Sequence, residues 1–200
     1  MLLGMNKIKL IALDIDGTLL SNNKEISKNN IEAIKKAQNQ GIYVVLATGR
    51  MYRSAKQFGY FLQEDMPIIT YNGALIRELG DGKVLFQQNM PNEHVMDIYA
   101  LTKTYGLNAN FYVKDQLYSD GENDWIKGYA EHINVPHQIL KSGELQDMTQ
   151  ENQVIKMAAM GDEEKIDHFL SMEYEKWKDA LYVVKSLSFF LEFAHKEVNK

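Results

Sequence analysis

The sequence predicts an α/β fold: a parallel, Rossmann-like sheet with polar residues at one edge, followed by an inserted α+β unit. Two apolar runs rich in β-branched residues, residues 8–13 and Tyr43–Ala47, indicate strands. Each run ends in a polar segment, at residues 14–18 and 48–50. The pattern changes after residue 83 and shows alternating short strands and helices.

The segment between the first two strands is predicted to be a helix. Ile31, Ile34 and Ala37 recur at spacings of three, and Gly41 follows as a stop signal. Strand, helix and strand with short connections form a βαβ unit, so the two strands are expected to be parallel. Their carboxyl ends then share the sheet edge at which open α/β sheets bind ligands. A third strand is predicted at residues 67–71.

Two carboxylates, Asp14 and Asp16, come directly after the first strand. Side chains two residues apart on a strand share one face, and two carboxylates there repel each other unless a cation lies between them. Mg²⁺ prefers such oxygen ligands. The alternative is a simple turn, because Asp and Gly often end a strand. Thr48 and Arg50 are expected at the same edge, which favours a functional site.

Two motifs resemble those of a known family. The run DIDGTL at residues 14–19 resembles the first motif of the haloacid dehalogenase superfamily, and LATGR at residues 46–50 resembles its second. With YNGA at residues 71–74, the pattern is similar to the Cof-type branch. That branch consists of sugar-phosphate and cofactor-phosphate phosphatases with a large cap domain. The resemblance implies a haloacid dehalogenase-like core that is incomplete at the C-terminus and carries an inserted α+β cap.

The resemblance also implies residue roles. Asp14 is expected to attack phosphorus, and Asp16 to act as general acid and then as general base. Mg²⁺ is expected on Asp14, on the backbone carbonyl of Asp16 and on a later acidic residue. Thr48 is expected to hydrogen-bond a phosphoryl oxygen, although it could instead cap the helix that follows.

Three further residues are assigned to substrate binding: Gly49, Arg50 and Asn72. Arg50 could equally be a surface residue of the next helix, and Asn72 a turn residue only. Lys200, in VNK at residues 198–200, matches the catalytic lysine of the third motif, although a terminal lysine is ordinarily a solvated charge.

The acidic fourth motif is absent, so the chain resembles an incomplete phosphatase. GDEE at residues 161–164 precedes Lys200 and is interpreted as a helix start. The predicted domains are a core over residues 1–83, a cap over 84–194 and a return to the core at 195–200. Strand one then has an unpaired edge, through which the chain is expected to self-associate.

The predicted elements of the cap follow from periodicity and from turn residues. Strands are predicted at residues 84–88, 110–113, 116–119, 153–160, 181–185 and 189–194, and helices at residues 92–104, 123–132 and 163–176.

The bulk properties suit a cytoplasmic enzyme with a small phosphorylated metabolite as substrate. A net charge of −5 argues against nucleic acid as a partner, the chain has no cysteine, and no apolar stretch is long enough to span a membrane. The predicted function is Mg²⁺-dependent hydrolysis of small phosphomonoesters. Two alternatives are a receiver domain, which the cap-sized insertion disfavours, and an inactive remnant that binds phosphorylated ligands or another subunit.

Overall fold

The computed structural model describes residues 8–21, 23–63, 65–151 and 153–198. Backbone contacts divide the chain into two compact units, with the division between Phe86 and Gln87. The sequence places this boundary at residue 83. The strand that begins at Val84 joins the sheet of the first unit, which accounts for the difference.

The described part of the first unit is built around one five-stranded sheet. Its elements are β1 (Leu10–Leu13), α1 (Lys28–Asn39), β2 (Tyr43–Ala47), α2 (Tyr52–Lys56), β3 (Pro67–Thr70), β4 (Leu75–Glu78) and β5 (Val84–Gln87). The strand order is β1-β2-β3-β4-β5, in which β1, β2 and β3 are parallel and β4 is antiparallel to β3. The predicted βαβ unit is therefore confirmed, and its carboxyl-end edge carries the polar segments.

Side chains of β2 and β3 form the centre of the first core. Val44, Leu46 and Ile68 are buried together with Ile34 of α1. The start of α1 is set by Ser27, whose Oγ accepts a hydrogen bond of 3.1 Å from the backbone N–H of Asn30.

The second unit is an α+β structure with helices on both faces of one six-stranded sheet. Its elements are α3 (Asn92–Thr104), β6 (Asn108–Val113), β7 (Gln116–Ser119), α4 (Asp124–Ile133), β8 (His137–Ile139), α5 (Glu144–Gln150), β9 (Val154–Met160), α6 (Glu163–Trp177), β10 (Leu181–Leu187) and β11 (Phe190–His195). The strand order is β10-β11-β9-β6-β7-β8. Phe111 of β6 packs into a core with α3 and α6. The next residue, Tyr112, faces the other way, and its hydroxyl lies 2.9 Å from that of Tyr129 on α4.

Of the elements predicted for the cap, the strand at residues 84–88 belongs instead to the first unit as β5. All the others are present in the second unit, with ends within two residues of the prediction. Of the strands and α-helices in the described residues, those that were not predicted are α2, β4, β8 and α5. The helices α2 and α5 span five and seven residues, fewer than two full turns, and β8 spans three, so a periodic pattern cannot register in them. Among the described residues, no helix is both long and apolar enough to cross a bilayer.

The first strand has an open edge, as predicted. Within the described ranges, β1 pairs with β2 alone, with Leu10 opposite Tyr43 and Leu13 opposite Leu46. Leu10 is 54% exposed, and a groove of about 310 Å³ runs between β1 and α1, lined by Ile11 and Leu13 among others.

We expect the 200-residue chain to self-associate through β1, because an unpaired apolar strand offers backbone donors and acceptors to a second copy. Sedimentation equilibrium should detect this association, and Leu10→Lys should weaken it by placing a charge on the edge. Val84→Lys on β5, the opposite edge of the same sheet, is the matched control. A monomeric wild-type chain, or dissociation caused by Val84→Lys alone, would contradict the prediction.

Candidate active site

The first acidic segment forms a wide turn at the end of β1. Asp14 and Asp16 have extended backbones, and Gly17 adopts a φ of +72°, which favours glycine. The N–H of Leu19 donates to the carbonyl of Asp14 at 3.2 Å. Ile15 and Leu19 are buried in the first core. The apolar residues of the motif therefore anchor the turn that carries the two carboxylates.

Arg50, which follows β2, forms a bidentate ion pair with Asp16. Its Nε lies 2.8 Å from Oδ2 and its Nη2 lies 2.7 Å from Oδ1. The arginine side chain is 8% exposed, whereas that of Asp16 is 54% exposed. Such a paired geometry holds the guanidinium and the carboxylate in one plane. The structure therefore brings together two residues that lie 34 positions apart, and the alternative of Arg50 as a surface residue of the next helix is wrong.

Thr48 is buried in the loop between β2 and α2. Its N–H donates to the carbonyl of Ile69 at 2.9 Å, and its Oγ1 accepts from the N–H of Arg50 at 3.2 Å. The residue that precedes α2 is Met51, and no side chain caps that helix. The helix-capping alternative for Thr48 is therefore wrong, and its hydroxyl shapes the loop instead.

Two backbone hydrogen bonds connect the loop after β3 to the loop after β2. The N–H groups of Tyr71 and Asn72 donate to the carbonyls of Arg50 and Thr48, at 2.9 and 3.1 Å. Both residues have positive φ angles, 52° and 56°, which cost energy in residues other than glycine. A Cβ atom at Gly49 would lie 2.7 Å from Oδ1 of Asn72, so only glycine fits there without a shift. Asn72 is thus more than a turn residue, because its side chain packs on the second motif.

Two residues at this site went unnoticed in the sequence. Ser54 Oγ accepts a hydrogen bond of 3.1 Å from Nη1 of Arg50, and the Phe58 ring centroid lies 5.1 Å from Cζ of Arg50. The sequence offered no signal for them, because Arg50 lies in the loop before α2 and its contacts with Ser54 and Phe58 arise only in the folded chain.

The oxygen atoms at the carboxyl-end edge of the first sheet could supply some of the ligands of a magnesium site. Asp14 and the carbonyl of Asp16 offer hard oxygen ligands of the kind Mg²⁺ binds. The carboxylate of Asp16 is engaged by Arg50. Within the part of the chain that the structure describes, no group of three or more acidic, histidine or cysteine residues is placed to hold a metal. The remaining expected residue, Lys200, lies outside the described residues.

Comparison with known proteins decides the family. A model of the haloacid dehalogenase-like hydrolases matches residues 11–200. The chain belongs to this family. The haloacid dehalogenase-like fold, the Cof-type branch and the assignment as a phosphatase-type hydrolase, all predicted from the motifs, are confirmed.

Relatives of this haloacid dehalogenase-like chain are longer than it is. It is 28% identical over 200 residues to the putative phosphatase M6_Spy0533 of Streptococcus pyogenes, covering 96% of this chain and 72% of that protein. It is 33% identical over 111 residues to the 5-amino-6-(5-phospho-D-ribitylamino)uracil phosphatase YitU of Bacillus subtilis, covering 54% of this chain and 41% of that one. The structure of TM0651 from Thermotoga maritima matches with a TM-score of 0.83 at 31% identity, over 97% of this chain and 72% of that one.

Proposed function

We propose that the protein hydrolyses small phosphomonoesters, such as sugar phosphates or cofactor phosphates, through a phosphorylated Asp14. The observation that carries the proposal is the convergence of Asp14, Asp16, Thr48 and Arg50 at one sheet edge in a member of a phosphatase family. The substrate class is supported by the relative YitU, whose name describes a phosphatase acting on a phosphoribityl compound.

The chemistry divides between the two carboxylates. Asp14 attacks phosphorus with a carboxylate oxygen, and the bond from phosphorus to the leaving oxygen breaks. A proton from Asp16 neutralises the leaving alkoxide, and Asp16 then takes a proton from the water that attacks the phosphorylated Asp14. The products are the alcohol and inorganic phosphate. The ion pair with Arg50 holds the Asp16 carboxylate in a fixed orientation for these proton transfers.

Other groups at the sheet edge are proposed to bind the phosphoryl oxygens or to neutralise their charge. Mg²⁺, when bound at Asp14 and the Asp16 carbonyl, supplies charge neutralisation for the transferring phosphoryl group. Thr48 is proposed to hydrogen-bond one of these oxygens, and Gly49 and Asn72, which lie against each other, are proposed to contact the substrate. Lys200 is proposed as a second source of positive charge.

We propose that the second unit is the cap domain, which selects the leaving group. Its size and its α+β composition support this assignment. The net charge of −5 and the absence of cysteine support a small metabolite rather than a nucleic acid as partner, and a cytoplasmic location.

Hydrolysis of generic and sugar phosphomonoesters should require Mg²⁺ and should be abolished by a chelator. The assay compares the 200-residue chain with a form extended at its C-terminus by the remainder that its relatives possess. The extended form is expected to hydrolyse these phosphomonoesters. The 200-residue chain is expected to bind Mg²⁺ weakly in calorimetry, since few carboxylates of its described part surround the edge. Chelator-resistant activity of the extended form, or micromolar Mg²⁺ affinity of the shorter one, would contradict the proposal.

A second candidate is a remnant that binds phosphorylated ligands or another subunit without turnover. The observation that favours it is the span of the chain, 72% of relatives such as M6_Spy0533 and TM0651. Phosphate-ester binding without hydrolysis in both forms of the protein would select this candidate.

A further inference from the structure

The guanidinium of Arg50 is held on three sides. One edge, Nε and Nη2, binds Asp16, the opposite Nη1 donates to Ser54 Oγ, and the ring of Phe58 lies over the face. The backbone of Arg50 is held as well, by Thr48 Oγ1 at its N–H and by Tyr71 N–H at its carbonyl. Because both its backbone and its side chain are fixed, Arg50 is the rigid partner of the pair.

The hydroxyl of Ser54 determines which way the guanidinium faces. Ser54 is completely buried on α2, four residues after Arg50 in the chain. A guanidinium has donors on both edges of a rigid plane, so a fixed acceptor at Nη1 sets the direction in which Nε and Nη2 point. That direction is toward Asp16. Without the acceptor, rotation of the side chain would turn the paired edge away from the carboxylate.

We infer that Ser54 and Phe58 are positioning residues that act through Arg50 to hold the Asp16 carboxylate at the site. In consequence, Arg50 serves to orient the proton-transferring group rather than to anchor the substrate phosphate. The catalytic role in this assignment rests on the proposed function. The ion pair between Arg50 and Asp16, and the contacts of Ser54 and Phe58 with Arg50, can be tested without any enzymatic activity.

The direct test measures solvent exchange of arginine Nε–H groups by NMR in the 200-residue chain. The chain has three arginines, Arg50, Arg53 and Arg77, so each signal can be assigned by replacement with lysine. Ser54→Ala is expected to accelerate exchange at Arg50 about tenfold, the effect of losing one hydrogen bond to a charged group. Phe58→Leu is expected to have a smaller effect in the same direction.

Two controls separate positioning from a general loss of structure. Arg77 Nε donates to the carbonyl of Gly82 at 2.6 Å in the same unit, and its exchange should be unchanged in Ser54→Ala. Ser119→Ala removes an equally buried hydroxyl in the second unit and should leave Arg50 unchanged. Unchanged exchange at Arg50 in Ser54→Ala, or equal acceleration at Arg50 and Arg77, would overturn the inference.

A kinetic experiment tests the catalytic role of Ser54 in a form of the protein that hydrolyses phosphomonoesters. Ser54→Ala should lower kcat about tenfold while KM stays within about twofold, because the lost orientation affects proton transfer and not substrate binding. Ser54→Thr, which retains a hydroxyl, should recover part of kcat. A rise in KM at constant kcat would overturn the inference by showing that Arg50 binds the substrate. Absence of activity in every form would defeat the proposed function, whereas the exchange measurement would still decide whether Ser54 orients Arg50.

Discussion

Replacing Asp14 with asparagine is expected to lower turnover by a factor on the order of 10⁴ or more, the scale seen when a nucleophile is removed. Asparagine has the same shape but no anionic oxygen to attack phosphorus. The turn should survive, because its hydrogen bond from Leu19 is made by the backbone carbonyl of residue 14. The measurement is kcat on a phosphomonoester in the catalytically competent form, with acid-quench trapping of phosphorylated protein.

Two further variants calibrate this result. Asp16→Asn should still form some phosphorylated protein but should slow its formation or its breakdown, because only proton transfer is lost. Asp97→Asn alters an exposed carboxylate of α3 in the second unit and should leave turnover unchanged. Retention of full activity in Asp14→Asn would rule the covalent mechanism out.

Replacing Glu192 with glutamine is expected to destabilise the second unit by about 3–5 kcal/mol, as removal of one partner from a buried ion pair does. Lys156 Nζ lies 2.8 Å from Glu192 Oε2, and the two side chains are 3% and 11% exposed. The rings of Tyr112 and Phe190 lie 5.1 and 5.6 Å from the ammonium. Loss of the carboxylate charge leaves Lys156 charged and buried, which urea unfolding should detect as a lower free energy of unfolding.

The matched variants test whether the buried charge is the cause. Lys156→Met combined with Glu192→Leu removes both charges and should recover most of the stability that Glu192→Gln loses. Lys185→Met, which breaks a surface pair with Asp167 and Glu163, should cost no more than about 1 kcal/mol. A loss below about 1 kcal/mol in Glu192→Gln would contradict the expectation of a strongly coupled pair.

The same pair predicts a pH dependence. Burial is the largest single influence on Lys156 and opposes its charge, but Glu192, Tyr129 and Tyr182 together outweigh burial and raise the lysine pKa above its usual 10.5. A folded-state pKa above the unfolded value stabilises the protein fully below the unfolded pKa, and this stabilisation is lost as pH rises through the folded pKa. The stability difference between wild type and Glu192→Gln should therefore shrink in the strongly alkaline range.

Much of the architecture was predictable because long elements carry their own periodic signal. The helix at residues 92–104 and the strand Tyr43–Ala47 have the predicted bounds, since the helix repeats an apolar face and the strand is a continuous apolar run. The elements α2, β8 and α5 were missed because their few residues are held by neighbours rather than by an internal pattern. Placement of Asp14, Asp16, Thr48 and Arg50 at one edge followed from the parallel βαβ unit alone.

Sequence alone indicated the family, the order of the longer elements and the motif residues at the sheet edge, because motifs and periodicity are local properties of the chain. Only the tertiary structure decided how those residues are used. The pairing of Arg50 with Asp16, its support by Ser54 and the burial of Lys156 beside Glu192 all depend on side-chain directions and on strand register. A shift of one residue in the register of β9 or β11 would turn Lys156 or Glu192 to the opposite face, so this pair exists only once the sheet is assembled.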